Sequence, residues 1–432
     1  MTAPPAPRRA PGVLGVRQSF SSLSVRNYRL YFWGYSVSVV GTWMQTLALA
    51  LLVLRLSGSG ADLGIVTGAR YLPFLLLGPF GGLAADRYDK RRLLYVTQAS
   101  SAAVGLLFAV LTALDAVSIP LVVVLSLALG ILTVFDNPAR QSLIPELVPR
   151  ERMANAVTLN SVSVNMARVL GSAVGGALVA AVGLTACFAL NAASFGAVLL
   201  SLVLMRDCEM YPADRPPRRK GQVREGLRYV GRTPALLLPL VMLTVTGMLA
   251  YEFPVTLPLV AQRALHGGPG TYGAMASLMA VGAVGGGLYI AGSRRTRGAG
   301  ALAVAGIGWG LAILAAALAP TLAWELVALP FVGLGTIAFN SLSKTAMQLA
   351  SLPSMRGRVM ALWSMAWGGS TVVGGPLVGW VAQEFGSRWS LVVGGVPCLL
   401  LGVLALPALR RVDRAASPSP GAAASPHTSS PY

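Results

Sequence analysis

The stretch LLYVTQASSAAVGLLFAVLTAL, residues 93–114, decides the fold. It carries no charged side chain, follows the basic run Arg87-Tyr88-Asp89-Lys90-Arg91-Arg92, and stops at Asp115. Hydrocarbon about 30 Å thick takes roughly 20 helical residues to cross, so the stretch reads as a membrane-spanning helix. The pattern repeats in both directions. Apolar stretches cover roughly 30–54, 63–85, 93–114, 119–139, 156–181, 184–205, 234–261, 270–293, 299–319, 323–346, 356–382 and 388–409, here numbered spans 1 to 12. The chain is 55% hydrophobic and 11% charged, with a mean hydropathy of +0.66, whereas a soluble domain carries about 25% charged residues. The expected fold class is all-α: a polytopic membrane protein.

The charges orient these spans. Net charge is +19, which in a soluble chain would suggest nucleic acid, but here distribution explains it. With loops assigned alternately to two sides, the side holding the N-terminal tail, the 2–3, 4–5, 6–7, 8–9 and 10–11 loops and the C-terminal tail collects about 29 of the 34 Lys and Arg residues. The other side holds Arg55, Arg263 and Arg388, and Arg70 and Arg168 fall inside spans. Basic residues in short loops stay cytoplasmic during insertion, so both termini are expected inside, facing anionic inner-leaflet lipid. No nucleic-acid partner is expected. The first 29 residues are polar and the apolar run after them is too long for a signal h-region, so no cleavable leader is expected. Three scattered cysteines make no disulfide framework.

The chain reads as built twice. Residues 1–29 form a tail, 30–205 one six-helix bundle, 206–233 a cytoplasmic linker, 234–409 a second bundle, and 410–432 a Ser/Pro/Ala-rich tail expected to be disordered. The linker holds Pro212, Pro216, Pro217 and the run Arg218-Arg219-Lys220, and 223–231 is expected to form a short amphipathic helix on the inner surface. Gly81-Gly82-Leu83 in span 2 matches Gly286-Gly287-Leu288 in span 8, and Gly175-Gly176-Ala177-Leu178 in span 5 matches Gly374-Gly375-Pro376-Leu377 in span 11. Duplicated halves suit a protein that rocks one half against the other around a central site.

After span 2 comes Gly82-Leu83-Ala84-Ala85-Asp86-Arg87-Tyr88-Asp89-Lys90-Arg91-Arg92. This resembles the G-x-x-x-D-R-x-x-R/K-R signature of the major facilitator superfamily, with Asp89 where the general signature has Gly. Ser57-Gly58-Ser59, Asn137-Pro138-Ala139-Arg140, Leu159-Asn160-Ser161 and Asn191-Ala192-Ala193-Ser194-Phe195 are similar to the branch of enterobactin-type and macrolide exporters. The resemblance implies two pseudo-symmetric six-helix bundles, alternating access, and a cytoplasmic gate built on Gly82, Asp86, Arg87, Lys90 and Arg91. It also implies that spans 1, 4, 7 and 10 line a cavity. Antiporters of the superfamily carry a G-P-x-x-G-G turn in span 5. Here Gly171, Gly175 and Gly176 hold the glycine positions, with Ser172 in place of Pro.

Polar residues inside spans need a reason, because an ionised side chain at mid-bilayer costs about 2.5–3.5 kcal/mol even on lenient scales. Arg168 lies roughly 18 Å into span 5, at 1.5 Å per residue, in a stripe with Ser161, Asn165 and Ser172. Span 1 shows Ser38, Thr42 and Gln45; span 10 shows Thr336, Asn340 and Ser343. Two readings stand for Gln45, Asn165, Arg168, Tyr251 and Asn340: lining of a substrate cavity, or hydrogen bonds between helices. Trp33, Tyr35, Trp43, Phe253, Phe339, Trp363 and Trp367, with Met44, Met248 and Met365, add an adaptable apolar surface. Glu252 reads as the one carboxylate deep in an apolar span, beside Pro254 and Pro258, which should break the helix. Desolvation disfavours the charged form of a carboxyl group, which is the chemistry of a proton carrier. Asp136 is the alternative carrier, although its neighbours Asn137-Pro138 favour a capping role.

Enzymatic chemistry finds no footing. His266 and His427 are the only histidines, and there is no Gly-x4-Gly-Lys-Ser/Thr phosphate loop, so neither a cofactor nor a metal is expected. The expectation is a secondary transporter in a bacterial cytoplasmic membrane, functional as a monomer, that exports a moderately apolar small molecule (a drug, macrolide or siderophore-like metabolite) in exchange for protons. The alternatives are an importer or uniporter of the same fold, and a membrane accessory protein for secretion or lipid handling.

Overall fold

The computed structural model describes residues 20–211, 222–292, 299–352 and 355–416. All twelve apolar stretches are helical: Arg26–Ser57, Gly60–Arg87, Lys90–Ala113, Ile119–Leu143, Met153–Val182, Leu184–Leu204, Pro234–Leu249 continued by Phe253–Leu259, Pro269–Gly292, Gly300–Ala317, Leu322–Ala350, Arg356–Gly369 continued by Thr371–Glu384, and Ser387–Ala416. Among the described residues ten helical stretches are long and apolar enough to cross a membrane. Span 2 and the interrupted span 11 complete the twelve. Span 12 runs on to Ala416, past the expected boundary at 409; the tail beyond 416 and the run Arg218-Arg219-Lys220 lie outside the described residues.

Local chemistry sets the ends. Span 1 stops at Gly58, whose φ of +62° suits a residue without Cβ. Ser59 then caps span 2, its Oγ accepting from the Asp62 N–H at 3.1 Å. Asp89, the departure from the signature, caps span 3 through the Arg92 N–H at 2.8 Å.

Packing follows one scheme used twice. In the first half span 1 packs on 5 and 6, span 3 on 4 and 6, and span 2 on 4. In the second half span 7 packs on 11 and 12, span 9 on 10 and 12, and span 8 on 10. Lipid replaces water around this bundle, so apolar side chains such as Leu106, Leu288 and Leu404 point outward.

The start of span 1 and the end of span 12 lie on one side, here called the terminal face; the other is the far face. The halves join along two symmetry-related seams, span 2 on span 11 and span 5 on span 8. Glycines make both possible. A Cβ on Gly64 would lie 2.8 Å from Pro376 Cα, and one on Gly176 would lie 2.8 Å from Gly273 Cα. Polar ties close the far face above the first seam: Ser59 Oγ donates to Gln383 Oε1 at 2.8 Å, and Arg263 donates to the carbonyls of Gly58 and Ala382. One apolar core runs through the far part of the first half and the full height of the second, down to Val230, Met347 and Leu409. Near the terminal face the first half has its own cluster around Tyr28, Tyr31, Leu94, Leu143 and Leu202. The halves are therefore joined on the far side and separate toward the termini.

The linker helix, Gln222–Arg232, docks on the second half. Glu225 pairs with Arg358 at 2.6 Å, and the Tyr229 hydroxyl accepts from the Leu352 N–H at 3.2 Å.

Candidate functional site

Where the separating halves face each other at mid-bundle lies a cavity of about 360 Å³. The first half contributes Trp43, Thr46, Leu47, Tyr71, Arg168 and Ser172; the second contributes Tyr251, Phe253, Tyr272, Met279, Thr336, Asn340 and Trp367. The wall is mostly apolar and aromatic, with a few polar groups and one charge. Arg168 holds its guanidinium over Trp43, Cζ 4.5 Å from the ring centroid, and its Nε has no hydrogen-bond partner. Tyr71 stands in the wall within electrostatic range of Arg70, Arg168 and Glu252. The Tyr251 hydroxyl donates to the Thr336 carbonyl at 3.1 Å, beside Asn340, while its ring meets Trp309 edge-on at 4.8 Å.

Of the expected lining residues, Arg168, Tyr251 and Asn340 reach the cavity, and two do not. Gln45 is buried and accepts a hydrogen bond from Asn191 Nδ2 in span 6; it ties helices together. Asn165 Nδ2 donates to the Ser161 carbonyl of its own helix at 2.8 Å, one turn short of the cavity. Trp43, Phe253 and Trp367 line it, whereas Phe339 is buried and Trp33 points outward.

Span 7 breaks where the prolines stand. Pro254 has no N–H to continue the ladder. The first segment ends with the Ala250 N–H on the Thr246 carbonyl, and the second starts with the Val255 and Thr256 N–H groups on the Glu252 carbonyl, each at 2.9 Å. Glu252 sits in the break at 1% exposure, and neither carboxylate oxygen has a hydrogen-bond partner. Thr371 is the polar side chain alongside. A Cβ on Gly374 would lie 2.9 Å from its Oε1, so the carboxylate rests on the glycine pair of span 11, at the seam with span 2. It is not a lining group, although Tyr251 and Phe253 on either side are.

Asp136 has a different setting from the one its neighbours suggest. The helix runs through Pro138 to Leu143, so Asp136 caps nothing. It is paired with Arg140 one turn on, and accepts from Thr97 Oγ1 at 3.0 Å and Gln98 Nε2 at 2.6 Å. Arg140 in turn lies over the Tyr35 ring at 4.0 Å. The network locks spans 1, 3 and 4 together and leaves no free carboxylate. The Gly171, Gly175 and Gly176 positions make no turn either, since span 5 is one unbroken helix. Each admits a neighbour: Gly171 faces Trp43 and Val40, Gly175 faces Met44, and Gly176 faces Gly273.

The signature after span 2 braces the first half. Lys90 pairs with Glu146 of the 4–5 connection. Arg91 pairs with Asp207 and donates to the Leu202 carbonyl at 2.6 Å. Gly82 and Arg87 close span 2, and the Asp86 side chain lies outside the described residues. Sequence reasoning misses Tyr71, a common residue in an apolar run. It also misses Glu325, 1% exposed in the first turn of span 10, so Glu252 is not the sole buried carboxylate away from the terminal face.

Comparison with known proteins decides the family. Residues 17–427 match the family model MFS_3, described as a transmembrane secretion effector. The chain belongs to this major facilitator family. The relatives it matches are named as transporters or efflux pumps. The chain is 28% identical over 396 residues to the multidrug efflux pump Tap of Mycolicibacterium fortuitum, covering 88% of this chain and 95% of that one. It is 29% identical over 260 residues to the staphyloferrin A transporter of Staphylococcus aureus, 59% of this chain and 64% of that protein. A Bacillus subtilis MFS-type transporter is matched over 48% of its length at 30% identity, so these two relatives are each spanned over less than two thirds. Among solved structures, a bacterial homologue of the human lysosomal transporter Spinster, inward-facing and unoccupied, superposes with a TM-score of 0.72 at 16% identity, over 91% of this chain and 98% of that one.

Proposed function

We propose that this transporter exports a moderately apolar small molecule across a bacterial cytoplasmic membrane in exchange for protons, with both termini cytoplasmic and a monomer as the working unit. The observation that carries the coupling is Glu252: a carboxylate enclosed without a hydrogen-bond partner, at a helix break, on the seam that shuts the far face. An ionisable group buried within a membrane bundle in this way is a functional candidate by default. As the free acid it tolerates the apolar seam. As the carboxylate it needs water or a partner, which the closed seam withholds. Proton loss at Glu252 would thus favour parting of spans 2 and 11, and proton uptake would favour their closure. The terminal face carries most of the basic loops, which supports its assignment to the cytoplasm, and the cavity then opens inward.

The multidrug efflux pump and the staphyloferrin A transporter among its relatives support a small-molecule cargo, and the aromatic wall supports a moderately apolar one. The test is transport in proteoliposomes under an imposed pH gradient. Cargo dye moving against its own gradient only while the pH gradient lasts is the expected result. Movement that ignores the pH gradient would sink the coupling. Reporter fusions test the orientation: positions 60, 116, 268 and 387 are expected outside, and 89, 221 and 298 inside. Two adjacent sites on the wrong side would overturn it.

A further inference from the structure

Among the described residues, the charged side chain of the cavity wall and the one on its span 10 approach are both cations. Arg168 is the only ionised group in the described wall of the cavity. Its Nε lacks a partner, and its face is covered by Trp43 instead of by an acid. Nearer the terminal face, Lys344 stands one turn beyond Asn340 on span 10. It is exposed, its Nζ is 5.7 Å from the Trp363 ring, and Trp363 stacks in parallel on the cavity residue Trp367. Among the described residues neither cation forms an ion pair. The buried carboxylates of the bundle are placed elsewhere: Asp136 is paired with Arg140, Glu252 rests on the glycines of span 11, and Glu325 lies at the far end of span 10.

A half-buried guanidinium held on an aromatic wall, its Nε without a partner, is costly unless a negative group arrives to meet it. Arginine suits this task, because its fixed fork meets carboxylate and phosphate geometry and it stays charged. From the unpaired Arg168 in this wall and Lys344 beside it we infer that the cargo is an organic anion: an aromatic or otherwise apolar body bearing a carboxylate-type group. The body occupies the surface formed by Trp43, Phe253 and Trp367, the anionic group meets Arg168, and Lys344 attracts it at the mouth. This rests on reading the cavity as the substrate site, and it narrows the cargo: a cation finds no acid in the described wall, and a neutral molecule leaves Arg168 unpaired.

Three matched probes test it on the full chain in nanodiscs: 1-naphthoate, the near-isosteric neutral 1-naphthamide, and the cation 1-naphthylmethylammonium. Binding is read by equilibrium dialysis and by quenching of tryptophan fluorescence at neutral pH. Naphthoate is expected to bind about tenfold or more tighter than naphthamide, the factor that a hydrogen bond to a charged group supplies. Arg168→Gln is expected to erase that difference while leaving naphthamide binding as it was, and Arg168→Lys to restore part of it. Lys344→Gln is expected to slow naphthoate association at low salt and not that of naphthamide. Equal binding of naphthoate and naphthamide, preference for the cation, absence of saturable naphthoate binding, or loss of both uncharged and anionic probes in Arg168→Gln would each overturn the assignment. Naphthoate selectivity that depends on Arg168, alongside no proton-driven movement in proteoliposomes, would leave the anion site standing and remove the export reading instead.

Discussion

At the scale of single residues, the two candidate carboxylates are separated by their partners. Asp136 has an arginine, a threonine and a glutamine around it; Glu252 has no hydrogen-bond partner. Removing one member of a buried pair strands the other charge, at a cost of about 3–5 kcal/mol. Asp136→Asn is therefore expected to lower the thermal unfolding temperature in detergent, with any loss of transport following loss of folded protein. Normal stability with lost proton coupling would reverse the assignment. Glu252→Gln should behave in the opposite way: it keeps the shape, removes the titrating proton, and relieves a carboxylate of its unpartnered site. Proton-driven efflux is expected to vanish while naphthoate binding stays measurable, and unchanged efflux under a pH gradient would exclude Glu252 as carrier. The sequence makes Glu252 visible because a lone acid just before two prolines stands out in an apolar run. It hides most of the difference in partners, since Arg140 is one turn from Asp136 on the same helix but Thr97 and Gln98 reach it only once spans 3 and 4 are packed.

At the scale of helices, the spans are legible because hydrophobic length is a local property. Their breaks and their seams are less so. The break in span 7 follows from Pro254, and the interruption of span 11 between Gly369 and Thr371 falls at Gly368-Gly369-Ser370, a weaker signal than a proline. The glycines of spans 2 and 11 read as a repeat, yet their register, Gly60 and Gly64 against Gly375 and Gly379, depends on how the halves meet. The two readings of Gln45 and Asn165 stay open in the sequence for the same reason: a polar stripe shows that a face avoids lipid, not which neighbour it meets. The seam yields a prediction. Gly64→Val puts side-chain carbons where Gly375 and Pro376 now lie, and overpacking of this kind costs typically 1–3 kcal/mol. That cost falls only on the state with the far face shut. The population should shift roughly five- to thirtyfold toward the state open to the far face for 1–2 kcal/mol. A cysteine introduced at Ala276 in the cavity wall is then expected to react faster with a membrane-impermeant thiol reagent added from the far side. Unchanged reactivity would mean that the seam does not gate that face.

At the scale of the whole molecule, the duplicated packing scheme has a mechanical consequence. The two seams are equivalent under the internal symmetry, and both close the same face. Shutting the opposite face therefore requires the other ends of the same helices to meet, span 2 against span 11 and span 5 against span 8. The end of span 2 carries Asp86-Arg87, and the start of span 11 carries Arg356 and Arg358. With the terminal face open, Arg358 is engaged by Glu225 of the linker helix, so the second half holds its own cation until the halves approach. We propose that Asp86 then meets this helix start. A carboxylate there faces the positive end of the helix dipole, worth about 0.3–1 kcal/mol when exposed and up to ~2 when partly buried, and a pairing arginine adds to it. Contacts made only in the shut state lower that state alone. Asp86→Asn should leave expression and topology intact, slow transport, and shift the balance roughly five- to thirtyfold toward the open terminal face for 1–2 kcal/mol. The same Ala276 cysteine should then label faster from the terminal side in inside-out vesicles, opposite in sign to the effect of Gly64→Val. Transport lost with terminal-side labelling unchanged would sink the latch and leave Asp86 a local role in the basic loop.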